Sequence, residues 1–170
     1  FDTAHPNFTD TGAATTVANY QAGSGNPTWY LLDTNSIFRG FVYQKRRPFQ
    51  VIPKFSMTDP SVFWDNEFVW GVDGRSNAGY GLWHYTYRSD AALTQANLVA
   101  ARTSMASLHR QDGAPMGIGA GAPLLLVVPT ALLPVAKGFA EDQYDPTVTT
   151  NLTPNNMRGL VRAVESAWLN

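Results

Sequence analysis

Two aspartates sit in phrases that hydrolytic chemistry uses. Phe8-Thr9-Asp10-Thr11-Gly12-Ala13 carries the Asp-Thr-Gly triplet of aspartic-type hydrolases, and Leu31-Leu32-Asp33-Thr34 looks like a partial second copy. That chemistry needs two carboxylates sharing one proton in a symmetric site. The pattern is incomplete, because Thr, Ala and Asn surround the triplet where strongly apolar strands should flank it. Asn35 also replaces the glycine that lets such a loop turn tightly. A hydrolase using Asp10 is thus one alternative, set against a plain surface loop. Gly117-Ile118-Gly119-Ala120-Gly121 has the composition of a phosphate cradle, but its glycines precede a strand instead of joining a strand to a helix. A hinge or crowded loop fits better. The histidines His5, His84 and His109 lie far apart in sequence without metal-pair spacing, and no Gly-x-Ser-x-Gly nucleophile elbow occurs. Neither a catalytic residue, a metal site nor a cofactor is expected.

Lys45-Arg46-Arg47 is the one basic cluster, placed at the end of an aromatic run beside Pro48. Three adjacent cations suit a solvated strand end, carboxylates of a neighbouring subunit, or a weak contact to DNA, in that order of preference. The tryptophans Trp29, Trp64, Trp70, Trp83 and Trp168 would serve a carbohydrate-binding β-module as a stacking platform. Four of them fall in expected strands at core-compatible alternation, which favours core and subunit contact.

Composition narrows the class. Hydrophobic residues make up 44% of the 170 and charged residues only 15%, below the usual share of about 25%, so surface should be covered by something other than water. A net charge of −1 gives no reason to expect a dedicated nucleic-acid binder. There is no cysteine, hence no disulfide or thiolate metal site. The longest apolar run, Leu124 to Val128, is far shorter than a membrane span, so no membrane partner is expected. The loop-like opening Asp2-Thr3-Ala4-His5-Pro6-Asn7 reads as that of a fragment or processed piece.

The elements that must position these residues are mostly strands. Residues 1–28 are rich in Thr, Asn, Gly and Ala and read as an extended loop region with one short strand near Val17. Trp29–Leu32, Ile37–Gln44 and Phe49–Phe55 read as strands, with Pro48 and Pro53 at strand ends or edges. Val62, Trp64, Phe68, Trp70 and Val72 alternate on one face, which predicts a strand over 62–72. A turn at Asp73–Asn77 and a returning strand from Ala78 to Tyr87 would complete a long hairpin, its arms reaching about 36 Å. After Ser89 the period shifts toward that of a helix: Leu98, Ala101, Met105 and Leu108 share a stripe, Thr94 is placed to cap, and His109 and Arg110 fall in the last turn. Leu124–Val128 then reads as a buried strand, Thr130–Ala140 as a short helix, residues 141–156 as a polar loop and Leu160–Val164 as the last strand.

Four phrases stand out together: Trp29-Tyr30-Leu31-Leu32-Asp33-Thr34, Phe41-Val42-Tyr43-Gln44-Lys45-Arg46-Arg47-Pro48, Glu67-Phe68-Val69-Trp70-Gly71-Val72-Asp73 and Asn77-Ala78-Gly79-Tyr80-Gly81-Leu82-Trp83. They resemble the major head protein of Mu-type phages. Order and spacing also agree, and the resemblance extends upstream through Phe1–Pro6 and downstream through Asp112–Ile118, Leu126–Pro129 and Trp168-Leu169. It implies an α+β fold, the HK97-type capsid protomer with a peripheral β-ribbon and an axial α/β domain, whose N-terminal arm and spine helix are absent from this chain. Residues 1–28 would then be the extended loop region, 29–90 the β-rich peripheral-type region and 91–170 the α/β axial-type region. The implied function is structural: a non-enzymatic head subunit, in the virion or in the host cytoplasm during assembly, that self-assembles into pentamers and hexamers and encloses DNA. The implied partners are copies of itself, the missing N-terminal part of the same protein, portal or decoration proteins, and packaged DNA touched only non-specifically. Candidate subunit contacts are Lys45, Arg46, Arg47, Trp64, Trp70, Tyr80 and Trp83.

Overall fold

The computed structural model describes residues 1–56, 58, 60–149 and 152–169. Strands β1 (His5–Phe8) and β2 (Ala14–Val17) form an antiparallel hairpin. Its turn is closed by the Thr9 N–H donating to the Ala13 carbonyl at 2.8 Å and the Gly12 N–H to the Thr9 carbonyl at 2.9 Å. Gly12 sits at φ 78°, a conformation that costs a side-chain-bearing residue dearly. The Asp-Thr-Gly phrase is therefore a hairpin turn.

A five-stranded mixed sheet follows, built from β3 (Tyr20–Gln21), β4 (Trp29–Leu32), β7 (Thr86–Ser89), β8 (Leu124–Val128) and β9 (Val161–Glu165) in the order β3-β7-β4-β8-β9. Alternation sets its inward face: Trp29 and Leu31 of β4 and Leu124, Leu126 and Val128 of β8 are buried, while the residues between them are half-buried. Helix α2 (Gln95–Ala106) adds Leu98, Ala101 and Met105 to this core, and α3 (Leu133–Glu141) adds Ala136 and Phe139. Thr94 caps α2 by accepting from the Asn97 N–H. Strands β8 and β9 are parallel, and α3 is the crossover that a parallel pair requires.

The remaining strands form a sheet of their own. β5 (Phe41–Lys54) and β6 (Val69–Tyr80) pair antiparallel as a two-stranded ribbon, with the short helix α1 (Pro60–Asp65) in their connection. By contacts the chain divides into Phe1–Gly40 with Gly81–Asn170 as one compact unit and Phe41–Tyr80 as the other.

Several expectations need correction. The division at residue 90 fails, because β4 and β7 from one side of it share a sheet with β8 and β9 from the other, so hydrogen bonding unites what composition separated. Ile37 lies outside any strand, between β4 and β5, and Phe41–Lys54 is one strand, not two. Prolines 48 and 53 survive within it because both strands of a two-stranded ribbon are edges, where a missing donor is tolerated. The 62–72 strand begins only at Val69, and Val62 and Trp64 lie in α1, which is followed by Asn66 at φ 52°, a conformation asparagine adopts readily. Asp73–Asn77 is not a turn but paired strand, Asp73 lying opposite Gln50 and Asn77 opposite Gln44. α2 ends at Ala106, short of His109 and Arg110. Within the polar stretch 141–156 the Asp145 N–H donates to the Thr153 carbonyl at 2.9 Å; its residues 150 and 151 lie outside the described ones.

Candidate functional site

The ribbon's register sorts its side chains onto two faces. Between Lys45 and Gln50 strand β5 takes five steps while its partners Ser76 and Asp73 are three apart, so β5 holds two extra residues in its irregular middle. An even number of insertions leaves the alternation in phase. Phe41, Tyr43, Lys45, Phe49, Val51 and Pro53 of β5 therefore share a face with Tyr80, Ala78, Ser76, Gly74, Val72 and Trp70 of β6. Side-chain geometry agrees: the Phe41 and Tyr80 rings lie 5.7 Å apart, as do those of Phe55, just past β5, and Trp70. Gly74 lies under Phe49, and an added Cβ there would run into that ring.

The other face mixes Val42, Ile52 and Val69 with Gln44, Gln50, Lys54, Arg75 and Asn77, and it carries the ribbon's ion pair. Arg47 bonds Asp73, and the Arg46 guanidinium donates to Gln44 Oε1 at 3.0 Å. The aromatic face has no such partners and stands open: Tyr80 is 87% exposed, Phe49 70% and Trp70 64%. A contiguous apolar face of this kind marks an interaction site in a soluble protein, and an isolated two-stranded hairpin is itself marginal in water.

The expected contact residues separate accordingly. Lys45, Arg46, Arg47, Trp70 and Tyr80 all lie on the ribbon strands, and Trp64 stands exposed on α1 with its ring against Phe63, centroids 5.0 Å apart and planes at 90°. Trp83 does not join them: it packs against the core of the other unit, in a 3-10 turn spanning Trp83–Tyr85. Sequence reasoning missed Phe41, Tyr43, Phe49, Val51, Phe55 and Val72 as members of the open face. Their alternation was legible, but the bulge that keeps it in phase was not.

The other chemical candidates disperse. Asp10 is exposed in the β1–β2 turn. Asp33 is 4% exposed, with Oδ1 accepting from the Asn35 N–H at 2.8 Å and Oδ2 from the Ser36 hydroxyl and the Gly119 N–H, both at 3.2 Å. No hydrogen bond joins the two carboxylates among the described residues, and Asp33 instead anchors the glycine-rich loop. Far apart in sequence, His5 and His84 nevertheless meet: both rings stack on Trp83, at 4.0 and 3.9 Å. Burial, and after it the neighbouring His5, holds the His84 imidazole below its ordinary value. An open row of rings would serve a sugar platform as well as a protein contact, so the geometry of the ribbon does not choose between them.

Comparison with known proteins does. A family model described as Mu-like prophage major head subunit gpT matches residues 1–169. The chain belongs to this family. It is 30% identical over 175 residues to the major capsid protein of Escherichia phage Mu, an overlap taking in 99% of this chain and 56% of that protein. It is likewise 30% identical over 155 residues to the Mu-like prophage FluMu major head subunit of Haemophilus influenzae, covering 83% of this chain and 47% of the relative. The chain thus spans about half the length of the curated relatives it matches. Among solved structures it superposes on the procapsid of bacteriophage JBD30 with a TM-score of 0.74 at 32% identity, over 99% of this chain and 56% of that one. It superposes on the JBD30 capsid with a TM-score of 0.81 at 21% identity, over 100% of this chain and 55% of that one. The fold is the α+β capsid fold that the resemblance implied, and the comparisons lend neither the hydrolase nor the carbohydrate-binding alternative any support.

Proposed function

We propose that the chain acts as part of a structural head subunit that self-assembles into the icosahedral shell of a Mu-like phage or prophage and encloses its DNA. The observation that carries this reading is the open aromatic face of the ribbon. A free monomer would present it to water as an aggregation hazard, whereas a shell covers it with protein. Copies of the subunit supply such cover without a dedicated partner, because a closed shell of pentamers and hexamers sets every subunit against others of its kind, both within each ring and between rings.

The partners in this reading are copies of the same protein, the rest of the same polypeptide, and portal and decoration proteins. One JBD30 capsid is described as decorated with minor capsid protein trimers, the kind of partner meant. DNA contact is non-specific, since the net charge is −1 and Arg47 in the only basic cluster is neutralised by Asp73. The work lies in the virion and, during assembly, in the host cytoplasm, and it asks for neither an active site nor a cofactor. Light scattering and electron microscopy of the intact gene product test the proposal. Closed particles of many subunits are the expected result, and a protein that stays monomeric at every concentration tried would sink it.

A further inference from the structure

We propose that the ribbon Phe41–Tyr80 docks face to face with the same ribbon of a second copy, antiparallel about a two-fold axis, the acidic tip of each meeting Lys45 of the other. This rests on the reading of the chain as a self-assembling subunit and names the partner of its open face.

The case begins with charge placement. Register puts Arg47, Lys54, Asp73 and Arg75 on the mixed face, and Arg46 bonds Gln44 of that face, which leaves Lys45 as the one charge among the aromatic residues of the paired strands. Among the described residues Lys45 makes no ion pair, and neither do Asp65 and Glu67 at the tip, all three being exposed. Covering this face with a purely apolar partner would strand a buried ammonium, which is prohibitive. The partner must therefore bring a carboxylate, set beyond an apolar stretch as long as the one separating Lys45 from the ribbon's tip. A second copy does so by construction. Along the ribbon the order is Lys45, the apolar stretch, then Asp65 and Glu67 in the connection at its far end, and an antiparallel copy presents anions, apolar stretch, cation. A parallel in-register copy would instead set Lys45 against Lys45 and acid against acid.

The stretch between is long enough to hold. From Ser76, opposite Lys45, to Val69 beside the tip is seven residues, or about 23 Å of strand. Phe49, Val51, Phe55, Trp70 and Val72 fill it, all between 53% and 70% exposed. Burying what they now expose would remove about 500 Å² from each copy, thus about 1,000 Å² for the pair, the level at which a contact becomes specific.

The chain contains no cysteine, so pairs of introduced thiols report the contact without background. In Lys45→Cys/Glu67→Cys, a two-fold contact closes both disulfides within one dimer, and mild oxidation of the intact protein should give covalent dimers and nothing larger. A ladder of trimers and tetramers would show an open head-to-tail contact and overturn the proposal, as would an absence of cross-linking. Charge exchange supplies a second measurement at sites where folding is not at stake. Lys45→Glu and Glu67→Lys should each raise the concentration for half-association about tenfold, and the double exchange should restore it to within about twofold. Single and double variants that all associate like the parent would equally overturn it. Particle formation followed in the same samples keeps the two readings apart: particles without the dimer cross-link leave the head-subunit reading standing and remove this one, and dimers without particles do the reverse.

Discussion

Trp29 and Trp70 are the same residue type in strands of the same chain, and truncating each to alanine should give opposite results. Trp29 is fully buried and its indole N–H donates to the Ala91 carbonyl at 2.8 Å. Trp29→Ala opens a core cavity and orphans that carbonyl, at a cost of about 3–5 kcal/mol. This is a large part of the 5–15 kcal/mol that stabilises an ordinary domain. Trp70 is 64% exposed and touches Phe55, so its loss from the folded chain costs only the ring pair, about 0.5–1.5 kcal/mol. In an assembled contact the same ring would bury about 130 Å², worth about 3 kcal/mol or a hundredfold in association for each Trp70 covered. Thermal unfolding followed by near-ultraviolet circular dichroism should therefore show a strongly depressed midpoint for Trp29→Ala and a nearly parental one for Trp70→Ala. Light scattering against concentration should show the assembly threshold rising steeply for Trp70→Ala. The reasoning is refuted if Trp70→Ala lowers the midpoint as far as Trp29→Ala does, or if it leaves the threshold where it was.

Asn155 closes the end of α3: its amide donates to the carbonyls of Gly138, Phe139 and Asp142 at 3.1, 3.0 and 2.9 Å, and its Oδ1 accepts from the Met157 N–H at 2.9 Å. Asn155→Ala removes this partner from the Phe139 and Asp142 carbonyls and the Met157 N–H, while the Gly138 carbonyl keeps the Asp142 N–H, and should cost about 2–3 kcal/mol, read as a lower denaturant midpoint at unchanged slope. Asp33→Asn turns a two-oxygen acceptor into one oxygen and a donor that faces donors, and should cost about 1–3 kcal/mol. Hydrogen exchange at the Gly119 amide, which now bonds Asp33, should accelerate in that variant. The lowered His84 value has a sign that can be checked: as pH falls below about 6.5 the unfolded chain takes up a proton before the folded one does, so stability present above that pH is lost. The unfolding midpoint should drop between about pH 7.5 and 5.5, and His84→Phe should flatten the dependence.

What could be read from the chain was what neighbouring residues decide among themselves. Trp29–Leu32 and Leu124–Val128 emerge as strands with the bounds read from the sequence, and α2 begins behind the Thr94 cap with Leu98, Ala101 and Met105 buried as its stripe demands. The family, too, was legible, since long ordered phrases survive as sequence. Misreadings arose where distant partners overrule local pattern. Val62 and Trp64 alternate like strand residues yet lie in α1, and the turn-forming Asp73–Asn77 is straightened because Gln50 and Gln44 across the ribbon pair with it. His5 and His84 show nothing in their spacing that would bring them both onto Trp83. The five-stranded sheet was divided in error because β4 and β8 are far apart along the chain and nothing in either strand names the other. Residue type settles that a tryptophan prefers to leave water. Only the fold decides whether its own chain provides the cover, as for Trp29, or leaves the ring open, as for Trp70. The reason is that burial depends on which elements meet in space, and local periodicity carries no record of that meeting.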